Sequence, residues 1–273
     1  MAVLTMNFES EYLKGNNTVS VILPNKQPNV TPEAFYSSGE KYKVLWLLHG
    51  TFGDHSDWLR KTNIELYACE KNWIVVMPGA LNSNYSNWGS FMMRYDMYDY
   101  LIYELMPLVY HWLPASDRRE DNYIAGLSMG GRGAIKYAVN FPEKFCAAAI
   151  LSAAPINFSD VTSDYLNSDN AQARRLKEMA DNAGGWDRFI ASEENVWAVI
   201  NKLVASSTLP RLFFACGTED DIAYENMLKF QRHAKEIGLD AIFWIKEKYE
   251  HEWRFWDLAI QQAFAFFLVE SVY

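Results

Sequence analysis

Short apolar runs separated by longer segments of helical period constrain this chain more than any other feature, because that alternation is how parallel sheets are built from βαβ units. Thr18 to Leu23 alternates, Lys43 to Leu48 is a nearly continuous apolar run, and Trp73 to Met77, Tyr123 to Ala125, Ala147 to Leu151, Arg211 to Ala215 and Ala241 to Ile245 repeat the style. Continuous runs suit strands buried on both faces. Between them Met97, Leu101, Leu105, Leu108 and Trp112 trace one helical face, with a kink expected at Pro107. Further helices are predicted over Gly130 to Asn140, Ile222 to Ile237 and Glu252 to Leu268.

The stretch from Pro155 to Ser207 breaks the alternation. It carries polar turns (Ser159 to Asn170), the Gly184-Gly185 pair, and helix-like pieces around Arg174 to Met179 and Val196 to Val204. It reads as an insertion that caps the sheet. No internal repeat, low-complexity tract or Pro/Gly-rich linker divides the chain, so residues 1–273 read as a single α/β domain with a cap at about 155–207.

Composition narrows the function by exclusion. The 25 Lys and Arg against 34 Asp and Glu give a net charge of −9, which argues against nucleic acid or an anionic membrane as partner. Cys69, Cys146 and Cys216 form no C-x-x-C pair, so neither a disulfide framework nor a structural zinc site is expected. The first nine residues lack a basic stretch and a long apolar run, and no later segment reaches the ~20 apolar residues of a membrane span. A cytoplasmic protein is the expectation, with assembly into a homo-oligomer left open.

The strongest local signal is Gly126-Leu127-Ser128-Met129-Gly130, a G-x-S-x-G that follows one predicted strand and opens a predicted helix. In that setting it is a nucleophile elbow, whose sharp turn lifts the serine hydroxyl above the sheet. A serine needs a base within hydrogen-bond reach, and the base needs an acid to orient it. Of the five histidines only His233 and His251 follow Ser128, and His233 falls inside a predicted helix. His251 lies in the loop after the last strand, where it can reach the sheet's C-terminal edge. The acid is expected after Arg211 to Ala215, in the run Cys216-Gly217-Thr218-Glu219-Asp220-Asp221, with Asp220 preferred over Asp221. Met129 N–H supplies one oxyanion donor. The loop His49-Gly50-Thr51-Phe52-Gly53 supplies a second from Thr51 or Phe52. His49, Asp54, His55 and Asp57 cluster in sequence, but with no metal-site spacing, so no metal is expected.

These stretches together resemble the esterase D group of α/β-hydrolases, most closely the bacterial tributyrin-esterase type. The carriers are His49 to Leu59 (H-G-T-F-G-D-H-S-D-W-L), the Gly126 to Gly130 elbow, the C-G-T-E-D run ending at Asp220, and His251 followed by Trp253. The resemblance implies an α/β-hydrolase fold, no cofactor, and a serine carboxylesterase acting on short acyl esters as small-molecule substrates. Relatives act on acetylated or feruloylated sugars and on S-formylglutathione. The S-formylglutathione hydrolases carry a cysteine close to the oxyanion loop, whereas the nearest one here is Cys69. A thioesterase of that kind is the enzymatic alternative, and a non-catalytic hydrolase-fold binding module the alternative of another class.

Several of the 10 Trp, 16 Tyr and 16 Phe fall in loops expected to overhang the site. Phe52, Trp58, Trp88, Trp186 and Trp253 are the candidate substrate-binding residues, with Phe91 beside them, since aromatic walls suit an acyl or phenolic group. Arg94, Arg118, Arg119, Arg174 and Arg175 are able to meet a charged substrate, with solvated surface as the default reading.

Overall fold

A computed structural model describes residues 2–91, 93–206 and 208–269. Ten strands appear in chain order: β1 (Ala2–Ser10), β2 (Gly15–Leu23), β3 (Val44–Leu48), β4 (Ile74–Pro78), β5 (Asn87–Trp88), β6 (Tyr95–Asp96), β7 (Asn122–Leu127), β8 (Ala147–Leu151), β9 (Arg211–Gly217) and β10 (Ala241–Lys246). Eight of them form one sheet in the order β1-β2-β4-β3-β7-β8-β9-β10, and β5 pairs only with β6. From β4 to β10 every pairing is parallel, while β2 runs antiparallel to both β1 and β4.

All seven predicted strands are present, and the four central ones, β3, β4, β7 and β8, are buried at every residue. Alternation sends Val44, Trp46 and Leu48 to one face and Leu45 and Leu47 to the other, so each face seeds its own core. Helices cover both. The C-terminal helix Trp253–Leu268 buries Phe255, Trp256, Ala259, Ile260, Ala263, Phe264 and Phe267 along one stripe. The first strand escapes the sequence reading because it is an edge, mostly exposed and paired on one side only. Three short helices, Pro32–Tyr36, Asp57–Lys61 and Ile64–Lys71, likewise carry too little period to be seen in advance.

The kink expected at Pro107 takes a specific form. A π-helical stretch, Tyr100–Leu105, precedes the α-helix Met106–Trp112, and it absorbs the hydrogen bond that a proline in the second helical position cannot make. No described helix is long and apolar enough to cross a membrane.

Among its described residues the segment between β8 and β9 contributes no strand. It holds the helices Ala171–Asn182, Trp186–Ile190 and Val196–Leu203 among shorter turns, and its expected last residue, Ser207, lies outside the described residues. Leu176, Met179, Ala180 and Phe189 form a small core of their own there, while Val196 and Ile200 join the main one.

Candidate active site

Register sets the site before any side chain is considered. Leu48 pairs with Gly126, Leu127 with Leu151, and Leu151 with Ala215, so β3, β7, β8 and β9 end near one level. The residues that follow them, His49 onward, Ser128, Ser152 and Asp220, share one edge with His251 beyond β10. That is the carboxyl edge of a parallel sheet, where open α/β folds hold their ligands.

Ser128 sits between β7 and the helix Met129–Asn140 with φ 52° and ψ −115°, a conformation a side chain enters only under strain. Its N–H donates to Leu151 O at 2.8 Å, and its carbonyl accepts from Arg132 N–H at 3.0 Å. A Cβ at Gly130 would lie against the backbone oxygens of Leu48 and His49, so only glycine lets the helix start this close to β3.

Asp220 is fully buried and receives His251 Nδ1–H at 3.0 and 2.9 Å on its two oxygens. Its Oδ1 also accepts from the N–H groups of Ile222 and Ala223, at 3.2 and 2.9 Å, so it closes the turn before the next helix. That turn is why the helix begins at Tyr224, two residues later than expected. Burial pushes the Asp220 carboxyl up. The hydrogen bond and charge of His251, the Ser152 hydroxyl and the Ala223 N–H outweigh it, and the net position is below the usual carboxylate range. Asp221 is exposed. His233 is engaged elsewhere, with Asn201 Oδ1 at 2.7 Å from Nε2.

The loops bearing acid and base are stitched together. Glu219 N–H donates to Tyr249 O and Thr218 N–H to Lys246 O, each at 3.0 Å, and a Cβ at Gly217 would strike Tyr249's backbone. Ser152 and Trp256 complete the support: Trp256 Nε1–H donates to Ser152 Oγ at 2.9 Å, and its ring meets the His251 ring edge-on at 5.0 Å. Neither residue is singled out by the sequence reading. A polar residue directly after the run Ala147 to Leu151 is the one signal that points to Ser152.

The loop after β3 is shaped by His49, whose Nδ1–H donates to Gly50 O at 2.7 Å and whose Nε2 accepts from Ala80 N–H at 2.9 Å. Burial lowers its pKa, against the Gly50 hydrogen bond, which suits this neutral tautomer. Phe52 N–H is taken by Asn82 Oδ1 at 2.8 Å. Thr51 Oγ1 accepts from Arg175 Nη1 at 2.8 Å. The remaining members of the early acidic and histidine cluster are dispersed, His55 onto Ser20 Oγ at 2.8 Å and Asp57 onto Lys61 at 3.0 Å. Among the described residues no three His, Cys, Asp or Glu side chains converge as a metal site requires.

A cavity of about 370 Å³ opens beside Ser128. Its walls are more charged than expected: Arg132, Arg175 and Lys229 face it with Asp160, Asp221 and Glu225. Trp197, stacked on His233 at 4.1 Å, is its one tryptophan. The expected aromatic wall is placed elsewhere. Trp58 is buried, donating from Nε1 to Leu48 O at 3.1 Å. Trp253 packs edge-on against Trp58 and Trp256 under the Lys61 ammonium. Trp186 packs on Phe158 and Phe189 inside the cap, and Trp88 bonds Ser83 O at 2.7 Å. Phe52 is 92% exposed, beside the site rather than in its wall.

Comparison with known proteins agrees with this architecture. The Esterase family model matches residues 10–267. An acetyl esterase of Caldicellulosiruptor saccharolyticus is 29% identical over 274 residues, covering 97% of each chain. Two solved structures from Staphylococcus aureus are similar across 97% of this chain and 98% of theirs. They are the fluorophosphonate-binding serine hydrolase FphF (28% identity, TM-score 0.79) and the S-formylglutathione hydrolase FrmB (29%, 0.78). With a mostly parallel eight-stranded sheet flanked by helices, this chain belongs to the Esterase family and is a serine carboxylic ester hydrolase of the α/β-hydrolase fold.

Proposed function

We propose that Ser128, His251 and Asp220 are the catalytic triad of an esterase acting on short acyl esters, within the tributyrin-esterase type of the esterase D group. One observation carries the reading: Asp220 grips His251 Nδ1–H through both carboxylate oxygens, on the same sheet edge as the strained Ser128. That grip leaves Nε2 as the basic nitrogen. Ser128 Oγ attacks the ester carbonyl while His251 Nε2 takes its proton, and the imidazolium is balanced by Asp220. The oxyanion is held by Met129 N–H and, since Phe52 N–H is already spent on Asn82, by Thr51 N–H. His251 then protonates the departing alcohol. A water deprotonated by His251 attacks the acyl-enzyme, releases the acid and returns the proton to Ser128.

The cavity volume fits a short acyl group with a modest alcohol, and acetyl esters are favoured by the acetyl esterase relative. Feruloyl-type esters are a less natural fit to these charged walls. The thioesterase reading keeps one support, the S-formylglutathione hydrolase likeness at 29% identity, while Cys69 stands on the helix Ile64–Lys71 with its sulfur accepting from Asn25 Nδ2 at 3.7 Å. The cap at about 155–207 is taken as part of a single hydrolase domain.

Ser128→Ala should lower kcat by roughly four to six orders of magnitude with the fold retained, and should abolish stoichiometric labelling by a fluorophosphonate. Labelling at another serine, with turnover surviving in the alanine variant, would remove the elbow from the mechanism. 4-Nitrophenyl esters from acetate to decanoate, run beside methyl ferulate and S-formylglutathione, should peak at acetate to butyrate.

A further inference from the structure

Two guanidinium groups face the cavity beside Ser128, and among the described residues neither has an acidic partner. Arg132 stands one helical turn after the serine, with its N–H on Ser128 O, so its side chain leaves the helix on the nucleophile's side. Among the described residues its one side-chain hydrogen bond is long, 3.4 Å from Nη2 to Gln172 Oε1. Arg175 reaches in from the cap helix Ala171–Asn182 and binds only neutral oxygens, Thr51 Oγ1 at 2.8 Å and Asn82 O at 3.5 Å. Among the described residues no carboxylate lies within 4 Å of either guanidinium, although Asp160, Asp221 and Glu225 share the cavity.

Such a pair is unfavourable as it stands. Desolvation and the charge of Arg132 bring the Arg175 pKa down to about 10 against the help of Glu178, and burial lowers Arg132 against a contribution from Tyr165. Partly buried cations ordinarily meet an anion. Each guanidinium carries five N–H donors in a planar fork that matches a carboxylate, and most of these ten are unspent here.

We propose that Arg132 and Arg175 form a carboxylate-binding subsite, so that the preferred substrate is an ester carrying a carboxylate on the same molecule, clamped there while its ester carbonyl meets Ser128. The proposal deepens the esterase reading and rests on it. Arg175 has a second task, because its bond to Thr51 positions the oxyanion loop. Among the described residues the Arg132 side chain makes no hydrogen bond to that loop, and its variants therefore report on charge rather than on the Thr51 bond.

The test measures kcat/KM on two matched pairs. Mono-4-nitrophenyl succinate against its methyl ester places the carboxylate on the acyl side, and 4-acetoxybenzoate against its methyl ester places it on the alcohol side. The carboxylate member of one pair should be preferred at least tenfold at low ionic strength, with the preference shrinking as salt is added. Which pair responds identifies the side of the ester that the cations read. Arg132→Gln should cut that ratio at least tenfold, and Arg132→Lys should restore part of it. A neutral fluorophosphonate is run on every variant. Labelling at Ser128 with no carboxylate preference in either pair, or with a ratio indifferent to Arg132→Gln, overturns the subsite and spares the triad. Absent labelling at Ser128 in the unmodified enzyme overturns both.

Discussion

The sheet edge and the cap are built on different principles. At the edge, Ser128 and Ser152 directly follow strand ends and Asp220 comes three residues after one, so their positions are inherited from hydrogen-bonded register. Asp220 is fully buried and accepts from His251 Nδ1–H and from the N–H groups of Ile222 and Ala223. The segment between β8 and β9, proposed as the cap, has no strand among its described residues and is fastened by side chains instead. Lys136 on the elbow helix pairs with Glu194 at 2.7 Å and also binds Asn84 O and Ser86 Oγ, while Asn182 Nδ2 donates to Asn87 O and Arg175 reaches Thr51. The difference teaches where each property resides. The proposed catalytic residues are positioned by the backbone, and the segment over them by long side chains crossing between segments, which a single substitution can alter.

The largest effect that can break this comparison is at the edge. Asp220→Asn should cost about 10³ to 10⁴ in kcat, because the amide can hold the wrong imidazole tautomer, while Asp221→Asn should cost less than about tenfold. The reverse ranking in steady-state assays would transfer the acid role to Asp221.

Next in size is the cap's fastening. Glu194→Gln leaves the buried Lys136 ammonium without its counter-charge and should lower stability by about 3 kcal/mol, read from denaturant midpoints at constant m-value. A neutral outcome would mean the cap is held without this pair.

Trp186→Ala sharpens the picture inside the cap. The ring is half-buried against Phe158 and Phe189, so the expected loss is about 2 kcal/mol, below the cost for a fully buried tryptophan, with the acetate-to-hexanoate ratio unmoved. A severalfold change in that ratio at constant melting temperature would instead place Trp186 against substrate and dissolve the division of labour.

The smallest effect is in pH. The folded-state pKa of Asp220 is depressed, so its stabilisation is complete above the ordinary carboxylate value of about 4 and is lost as pH falls through the lowered one. The stability gap between the wild type and Asp220→Asn should therefore be constant near pH 6 and narrow toward pH 3. A gap that widens on acidification would contradict the depressed pKa.

Legibility in the sequence followed burial and chain locality. Buried strands such as Val44–Leu48 and Ala147–Leu151 announced themselves because both faces demand apolar residues, whereas β1, half exposed at the sheet edge, had no such signature. The G-x-S-x-G elbow was readable because strand, serine and helix are contiguous. Ser152 and Trp256 were not, since their joint support of Asp220 and His251 spans 104 residues.

The aromatic wall shows the limit most clearly. Loop tryptophans near motifs suggested a pocket lining, yet Trp58 turned inward under Leu48 and Trp186 packed on Phe158 and Phe189, while Arg175, surface only by default, came to the cavity.

By itself the amino-acid sequence determined the α/β alternation and the G-x-S-x-G turn between strand and helix, because each depends on residues close together in the chain. Only the tertiary structure decided that Asp220 rather than Asp221 meets His251, that Thr51 rather than Phe52 has its N–H free of Asn82, and that Arg132 and Arg175 stand together beside Ser128. The physical reason is common to all three. Side-chain direction between distant segments is set by packing and by which donors and acceptors find partners, and neither is encoded in local spacing.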